Sequence, residues 1–480
     1  MKAASIIIRD TGVILIVVGV VTIFVLVPSL IYNELEHIVW ILATSGVFLL
    51  IGGFFRLIGR GDGDPKIKHA MVIAALSWFI ISLISSIPFM YIEKMDFFSA
   101  FFESVAGWTG TGLTMIANES TLTYTIQFWR TFTQWVGGVG VIVLTLIILA
   151  RPGTGSFTLY RSEGREEKIH PSIISTVKSI WWIFLLYTGI AIVVLYIAGM
   201  PPWEAINHAM TGLATGGFSV VDDSITSYAT ILHILIIPIM MAGAISFAAH
   251  YGILNGRIKK FFTDTQTLTL IVLVIIGAVV LTLLNMEQYS TFTDSLKYST
   301  FQFVSALTCT GFQTVDLAGW LPSSKMLLSL AMIIGGAAGS TAGGLKLFRA
   351  VLMGKGVGWK LKKIVFPPNS SFNRKLGGKV LTENEAMEQV NEAAVMSFLW
   401  LILLFVGIMV LLVTTSANLA DIIFEVCSAQ GNVGLSTGIT MVDMDPIAKA
   451  MLIINMLIGR LEIIPVLVLI RSIISGQSIF

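Results

Sequence analysis

Apolar residues in this chain gather into long unbroken runs, not into the alternation of a half-buried strand or the narrow stripe of a soluble helix. Ten runs, over residues 11–30, 38–55, 70–90, 131–150, 180–198, 231–249, 268–284, 326–345, 393–413 and 450–470, come close to the ~20 residues that a helix needs to cross a bilayer. The first run is too long for the apolar part of a signal peptide, and no small-residue cleavage site precedes Pro28, so it reads as a retained helix. After the first two runs the other eight fall into four pairs. Their internal connections, 91–130, 199–230, 285–325 and 415–449, each hold a further apolar segment of half length, as a re-entrant helix does. The pattern predicts helix, short pore helix, loop and helix, four times over.

Composition agrees with a polytopic membrane protein. Of 480 residues, 55% are hydrophobic and 12% charged, against roughly 25% charged in soluble domains. A net charge of +2 leaves no excess for nucleic acid. Of the 30 Lys and Arg, 24 fall in the tails and in the connections after runs 2, 4, 6 and 8, which places both termini in the cytoplasm by the positive-inside rule. The opposite loops carry acids, among them Asp96, Glu103, Glu119, Asp222, Asp223, Asp294, Asp316, Asp443 and Asp445. An acidic outer mouth concentrates cations; solvated loop acids are the plain alternative.

The four connections align without a gap on one glycine each: Gly112 in Ser104–Leu113, Gly217 in Ala209–Phe218, Gly311 in Phe303–Phe312 and Gly434 in Val426–Leu435. The match extends upstream, where Phe102-Glu103 and Phe424-Glu425 are equivalent. Non-helical backbone at membrane depth survives only where it is buried in protein or lines a watery path. Glycine reaches positive φ without penalty, so four such strands can converge into a ring of carbonyls that replaces the hydration shell of K⁺. The predicted filter residues are Gly110, Thr111 and Gly112; Thr215, Gly216 and Gly217; Cys309, Thr310 and Gly311; and Asn432, Val433 and Gly434. Small residues also permit close helix packing, but four copies in register favour the filter.

These loops, the segment 335–344 (Gly-Gly-Ala-Ala-Gly-Ser-Thr-Ala-Gly-Gly) and Gly459-Arg-Leu-Glu-Ile-Ile-Pro465 resemble the Trk/Ktr/HKT potassium transporter superfamily over essentially the whole chain. The resemblance implies an all-α polytopic protein with two N-terminal helices and four pore repeats around one central pore. It places the repeats at 65–165, 166–260, 261–372 and 373–480, after an N-terminal extension over 1–64. It further implies K⁺ as the transported ion, no organic cofactor, a homodimer in a bacterial inner membrane, and a cytosolic nucleotide-binding ring of the TrkA type as regulatory partner. One departure is Gly110, where a threonine run is the family expectation; a glycine there loosens the first strand.

Run 326–345 contains Gly335, Gly336, Gly339, Gly343 and Gly344, each costing about 1 kcal/mol relative to alanine inside a helix, so it is expected to unwind. The resemblance makes this an intramembrane gating loop, with Lys346 and Arg349 linking it to the cytosolic partner; small-residue packing also fits. A phosphate-binding loop does not fit, because no strand precedes the segment. Arg460, placed within the last run at a cost of at least ~2.5 kcal/mol, is expected to bond to carbonyls of that loop beneath the filter; Glu462, two residues on, does not face it on a helix. His208 and His233 lack the Cys/His cluster of a metal site and read as interface residues. Cys309 falls in a filter strand open to thiol reagents from outside, and Cys427 in a pore helix. An enzyme finds no constellation in the spans. An ion-coupled carrier is the alternative to a pore, but carriers commonly show inverted repeats, whereas these repeats run parallel.

Overall fold

A computed structural model describes residues 2–59, 65–140, 169–170, 172–366, 373–376 and 379–475. Within these the chain is helical, apart from one short hairpin pairing Arg374–Leu376 with Lys379–Leu381. The N-terminal helices Lys2–Thr22 and Ile38–Ile58 pack at Gly12 and Gly52, where a Cβ on either would stand under 3 Å from the other's carbonyl oxygen. Such close backbone approach is how helices gain dispersion contacts where lipid removes the hydrophobic drive. The turn between the two helices docks on the first repeat through Glu34, whose carboxylate accepts from the Tyr124 and Thr125 N–H groups.

Each repeat has a first span, a half-length pore helix and a second span. The pore helices are Phe97–Thr109, Pro202–Leu213, Phe292–Leu307 and Leu419–Gly431. Their starts follow helix-capping rules: Asp96, Thr291 and Asn418 accept from first-turn N–H groups, and Pro202 stands where no N–H is needed.

The second spans depart from the expectation of straight runs. A break was expected only in the third repeat, yet the second and fourth spans bend as well, and the first helix stops after a similar number of residues. The first, Tyr124–Val139, ends at Gly140 with φ +99°, and the remainder of the expected run 131–150 lies outside the described residues. The second, Thr230–Ala244, turns 107° into Phe247–Leu254, and the fourth, Pro446–Leu461, turns 109° into the segment from Ile463. In the third, Pro322–Ile334 stops at Gly335 and helix resumes only at Leu347–Val365. The hydropathy is continuous through these bends because the turning residues are few and mostly apolar. The stops are local: Ser246 caps the helix after the second bend, and Glu462, at φ +62°, leaves the fourth helix to pair with Arg349. Among the described residues six unbroken helices are long and apolar enough to span a membrane, and eight if each bent pair counts as one.

One strap recurs between successive repeats at the fourth residue or so of each second span. Lys325 donates to Ala318 O in its own repeat and pairs with Asp421 on the next pore helix. Lys449 does the same with Val442 O and Ser99, closing the fourth repeat on the first. Gln127 donates to Glu119 O and accepts from Trp203 of the second pore helix. His233 bonds to Ile225 O and packs on Phe301 of the third, the interface role expected for it. The long connection 346–392 is helix, hairpin and helix, with Lys363 and Arg374 both on Glu383.

Candidate ion-conduction site

The four pore helices end in the same way. Gly110, Thr215, Cys309 and Asn432 each take a left-handed conformation, with φ between +52° and +68°. The N–H of each bonds to the carbonyl three residues back, and the next N–H, of Thr111, Gly216, Thr310 and Val433, reaches five residues back at 2.8–2.9 Å. This is the Schellman pattern, which turns the chain sharply out of a helix. It also explains the departure at Gly110. That position is the left-handed cap and not an extended strand residue, so glycine is the unstrained choice, while Thr215 and Cys309 adopt a conformation that side chains resist. Thr215 is held there by bonds from its hydroxyl to Ala214 O and to Thr341.

Two residues on, Gly112, Gly217, Gly311 and Gly434 all have positive φ, between +74° and +105°. Their environment closes a ring. A Cβ on Gly112 would lie 2.2 Å from Gly216 O, on Gly217 2.1 Å from Thr310 O, on Gly311 2.1 Å from Val433 O, and on Gly434 2.4 Å from Thr111 O. Each glycine therefore faces the carbonyl that precedes the next repeat's glycine, in the order one, two, three, four, one. No side chain fits at any of the four. The same four glycines floor a cavity of about 400 Å³ whose lining does not include residues 335–346 and whose wall carries Glu119, Asp222, Asp223 and Asp316 with one cation, Arg130. Of the other loop acids expected at the mouth, Asp96 and Asp445 serve as helix caps.

Behind the ring stands a second fourfold element. Glu103 accepts from Thr114 Oγ1 and Met115 N; Glu425, its equivalent, accepts from Ser436 Oγ and Thr437 N. In the other repeats His208 bonds Ser219 and Gln302 donates to Thr314. Each pore helix thus braces the strand that leaves its own glycine. Glu103 is not a mouth residue: it is fully buried and paired with Arg130 at 2.8 Å, and Arg130 also donates to Ser219 O and lies over the Phe218 ring, joining repeats one and two. Gln134 grips the second filter loop twice, donating to Gly216 O and accepting from Phe218 N. Glu119, 3.9 Å from Arg130, is pushed up to about 7 by burial, with Arg130 opposing and Glu103 and Asp222 adding to the rise.

The 335–346 segment is non-helical, as its glycines require, and seats directly under the ring. Gly344 N donates to Gly431 O, and a Cβ on Gly343 would lie 2.0 Å from that same oxygen. Gly335, Gly339 and Gly344 have positive φ, while Gly336 packs on Ala244. On its other flank the segment is bonded to the second repeat's bend, Ala337 N to Ala244 O and Thr341 N to Gly243 O. Arg460 donates to Thr341 O at 2.9 Å and, on the first repeat, to Gly138 O at 2.8 Å and to Gly137 O. Lys346 folds back on Ala342 O, and Arg349 pairs with Glu462 at 2.8 Å. Cys309 is wholly buried at the pore-helix cap and does not line the acidic cavity, which corrects its expected exposure to reagents entering there; Cys427 is buried in the fourth pore helix.

The sequence reading missed Gln134, Thr341, Arg130 and the straps other than His233. The only signal for any of them was the spacing Pro-x-x-Lys shared by Pro322–Lys325 and Pro446–Lys449.

A membrane-embedded ring of four backbone loops below an acidic vestibule, with a non-helical plug beneath, defines the class of cation-translocating membrane proteins built from four pore repeats in one chain. The sequence pattern of the TrkH family of cation transport proteins matches residues 41–479, and the chain belongs to that family. It is 37% identical to an uncharacterized cation transporter of Methanocaldococcus jannaschii over 94% of this chain and 93% of the relative. It is 34% identical to the Trk system potassium uptake protein TrkH of Escherichia coli strain K12, over 89% and 90% respectively. The crystal structure of the potassium transporter TrkH from Vibrio parahaemolyticus superposes with a TM-score of 0.84 at 29% identity, covering 98% of each chain.

Proposed function

We propose that this protein carries K⁺ inward across the cytoplasmic membrane through a channel-like pore, with both termini in the cytoplasm. The observation that supports it most is the cyclic contact of Gly112, Gly217, Gly311 and Gly434 with the carbonyls of Gly216, Thr310, Val433 and Thr111. A ring of backbone dipoles is the ligand set that suits a dehydrated K⁺. The driving force is the membrane potential, about 2.3 kcal/mol per charge per 100 mV. On this reading Gly110–Gly112, Thr215–Gly217, 309–311 and 432–434 form the filter, within four repeats over 65–165, 166–260, 261–372 and 373–480. The 335–344 loop and Arg460 form the gate, here in its closed position.

The names of the relatives support a multi-component system. We place a homodimer on a cytosolic TrkA-like nucleotide-binding ring, with Lys346 and Arg349 as the mechanical link. The test is ⁸⁶Rb⁺ uptake into proteoliposomes under an imposed inside-negative potential, with and without a proton gradient. Uptake driven by potential alone is expected; uptake that requires the proton gradient would make the protein an ion-coupled carrier and overturn the pore.

A further inference from the structure

On the membrane side of the second repeat a groove of about 600 Å³ runs between the span Ile173–Ile197 and the bent pair Thr230–Ala244 and Phe247–Leu254. Its walls are almost entirely carbon, with Ile190, Val194, Ile237, Ile245 and Ile253 among them. Ile190, Val193 and Ile234 around it are more than half exposed, so the groove opens onto the bilayer and not onto water. Its one basic side chain is His250. The Nε2–H of that ring donates to Ala242 O, while Nδ1 is buried without a hydrogen-bond partner.

At one end of the groove the chain continues as Ile258–Thr263. Leu254, Ile258 and Phe262, spaced at four-residue intervals, are about half exposed, and Arg257 and Lys259 beside them are exposed too. Apolar side chains alternating with cations at a span's end mark a segment lying in the headgroup boundary, where anionic lipid is attracted. The groove's far wall is the bend itself. Residues 243–247 accept and donate the bonds that seat the plug: Ala337 N to Ala244 O, Thr341 N to Gly243 O, and Phe247 N to Gly339 O. The groove and the plug are therefore the two faces of one bend.

We propose that the groove holds one acyl chain of an anionic phospholipid of the cytoplasmic leaflet, its headgroup against Arg257 and Lys259, and that occupancy steadies the bend on which the 335–346 loop is hung. The binding stands on the groove alone; its effect on conduction rests on the reading of that loop as the gate. A filled groove holds residues 243–247 in place and so favours the seated loop. An emptied one lets the bend move and weakens three backbone bonds together.

The test uses the full chain in phosphatidylcholine vesicles containing phosphatidylglycerol with a photoactivatable group near the end of one acyl chain, with adducts mapped by mass spectrometry. Adducts are expected in 187–194 and 235–253. They should be lost in Ile190→Trp, which fills the groove from an exposed position, and in the doubly reversed Arg257→Glu, Lys259→Glu variant, while labelling of Thr265–Leu284 persists. Labelling spread evenly over the lipid-facing helices, or undiminished in Ile190→Trp, overturns the site. Equal labelling by a phosphatidylcholine probe overturns the headgroup assignment. In parallel, partner-free Rb⁺ flux should fall when phosphatidylglycerol is added to wild type and not to Ile190→Trp. A labelled groove with flux indifferent to the lipid overturns the coupling, and wild-type protein that conducts under no condition counts against the pore reading while the labelling result stands.

Discussion

Three glycines separate conformational strain from steric exclusion at the filter. Gly110 has φ +68° and open space around it, since a Cβ there would meet nothing closer than Thr215 O at 3.8 Å. Gly112 has nearly the same φ, +74°, but its Cβ would lie 2.2 Å from Gly216 O. Gly319 has neither constraint. Alanine at Gly110 should therefore cost about 1–2 kcal/mol for the left-handed backbone and leave the ring in place. Alanine at Gly112 carries that cost and must also drive a neighbouring strand back by roughly 1 Å to regain ordinary contact. That carbonyl is itself held by Gln134, which donates to Gly216 O, so the displacement is taken up in the ring. The assay is Rb⁺ uptake with Na⁺ and K⁺ as competitors, with thermal stability of each purified variant measured alongside. Gly319→Ala should match wild type in both, Gly110→Ala should lower stability with the K⁺ preference kept, and Gly112→Ala should lose the preference. If Gly110→Ala and Gly112→Ala lose selectivity equally, or a folded Gly112→Ala keeps it, the cyclic contact is not what selects the ion.

Arg460→Gln removes the charge-assisted bond to Thr341 O, worth about 1.5–3 kcal/mol, from the seated loop, so partner-free Rb⁺ flux should rise by one to two orders of magnitude (roughly 10- to 100-fold) with K⁺ preference unchanged; flux no faster than wild type in an inserted variant places the gate elsewhere. External acidification from pH 8 to 6 should lower uptake a few-fold, because Glu119 titrates near 7 and its protonation removes a negative charge from the vestibule. Glu119→Gln should be slow at both pH values; a retained pH response there assigns it to another group. Silver added outside should block conducting protein faster than closed protein, since Cys309 is buried against the seated loop, and Cys309→Ala should abolish the block; protection by Cys427→Ala instead shows that the path runs elsewhere. Charge reversal at Lys360 and Lys362, which avoids the Lys363–Glu383 pair, should weaken co-purification of the cytosolic partner without altering insertion; undiminished binding limits these lysines to setting topology.

The ring was legible in the sequence because its requirement is absolute at one position per repeat: only glycine fits beside a carbonyl at about 2 Å, so Gly112, Gly217, Gly311 and Gly434 had to repeat. The braces were half legible. Glu103 and Glu425 match, but His208 and Gln302 do the same work with other polar groups, and a hydrogen bond to a strand hydroxyl does not prescribe one residue type. The straps follow the same logic, with Lys at two positions and Gln and His at the others. The helix breaks at Gly140, 244–247 and Glu462 were hidden because hydropathy measures affinity for lipid and is blind to direction. Two short helices at 107° are as apolar as one straight one. Arg460 was found because a charge at that depth stands out against its surroundings; its acceptors Gly137 and Gly138, which offer only backbone, did not.

The four left-handed caps are Gly, Thr, Cys and Asn, four different chemistries on one backbone path. In a pore assembled from identical subunits, any change at such a position is made four times at once, and its energy is multiplied accordingly. Here a substitution reaches one quadrant. Asn432 already uses this freedom, since its side-chain amide crosses to Thr111 of the first repeat while also donating to Met456 O of its own, whereas Thr215 reaches Thr341 instead. Variation can therefore adjust the conduction path in quarter steps, each small enough to be tolerated and each separately reversible.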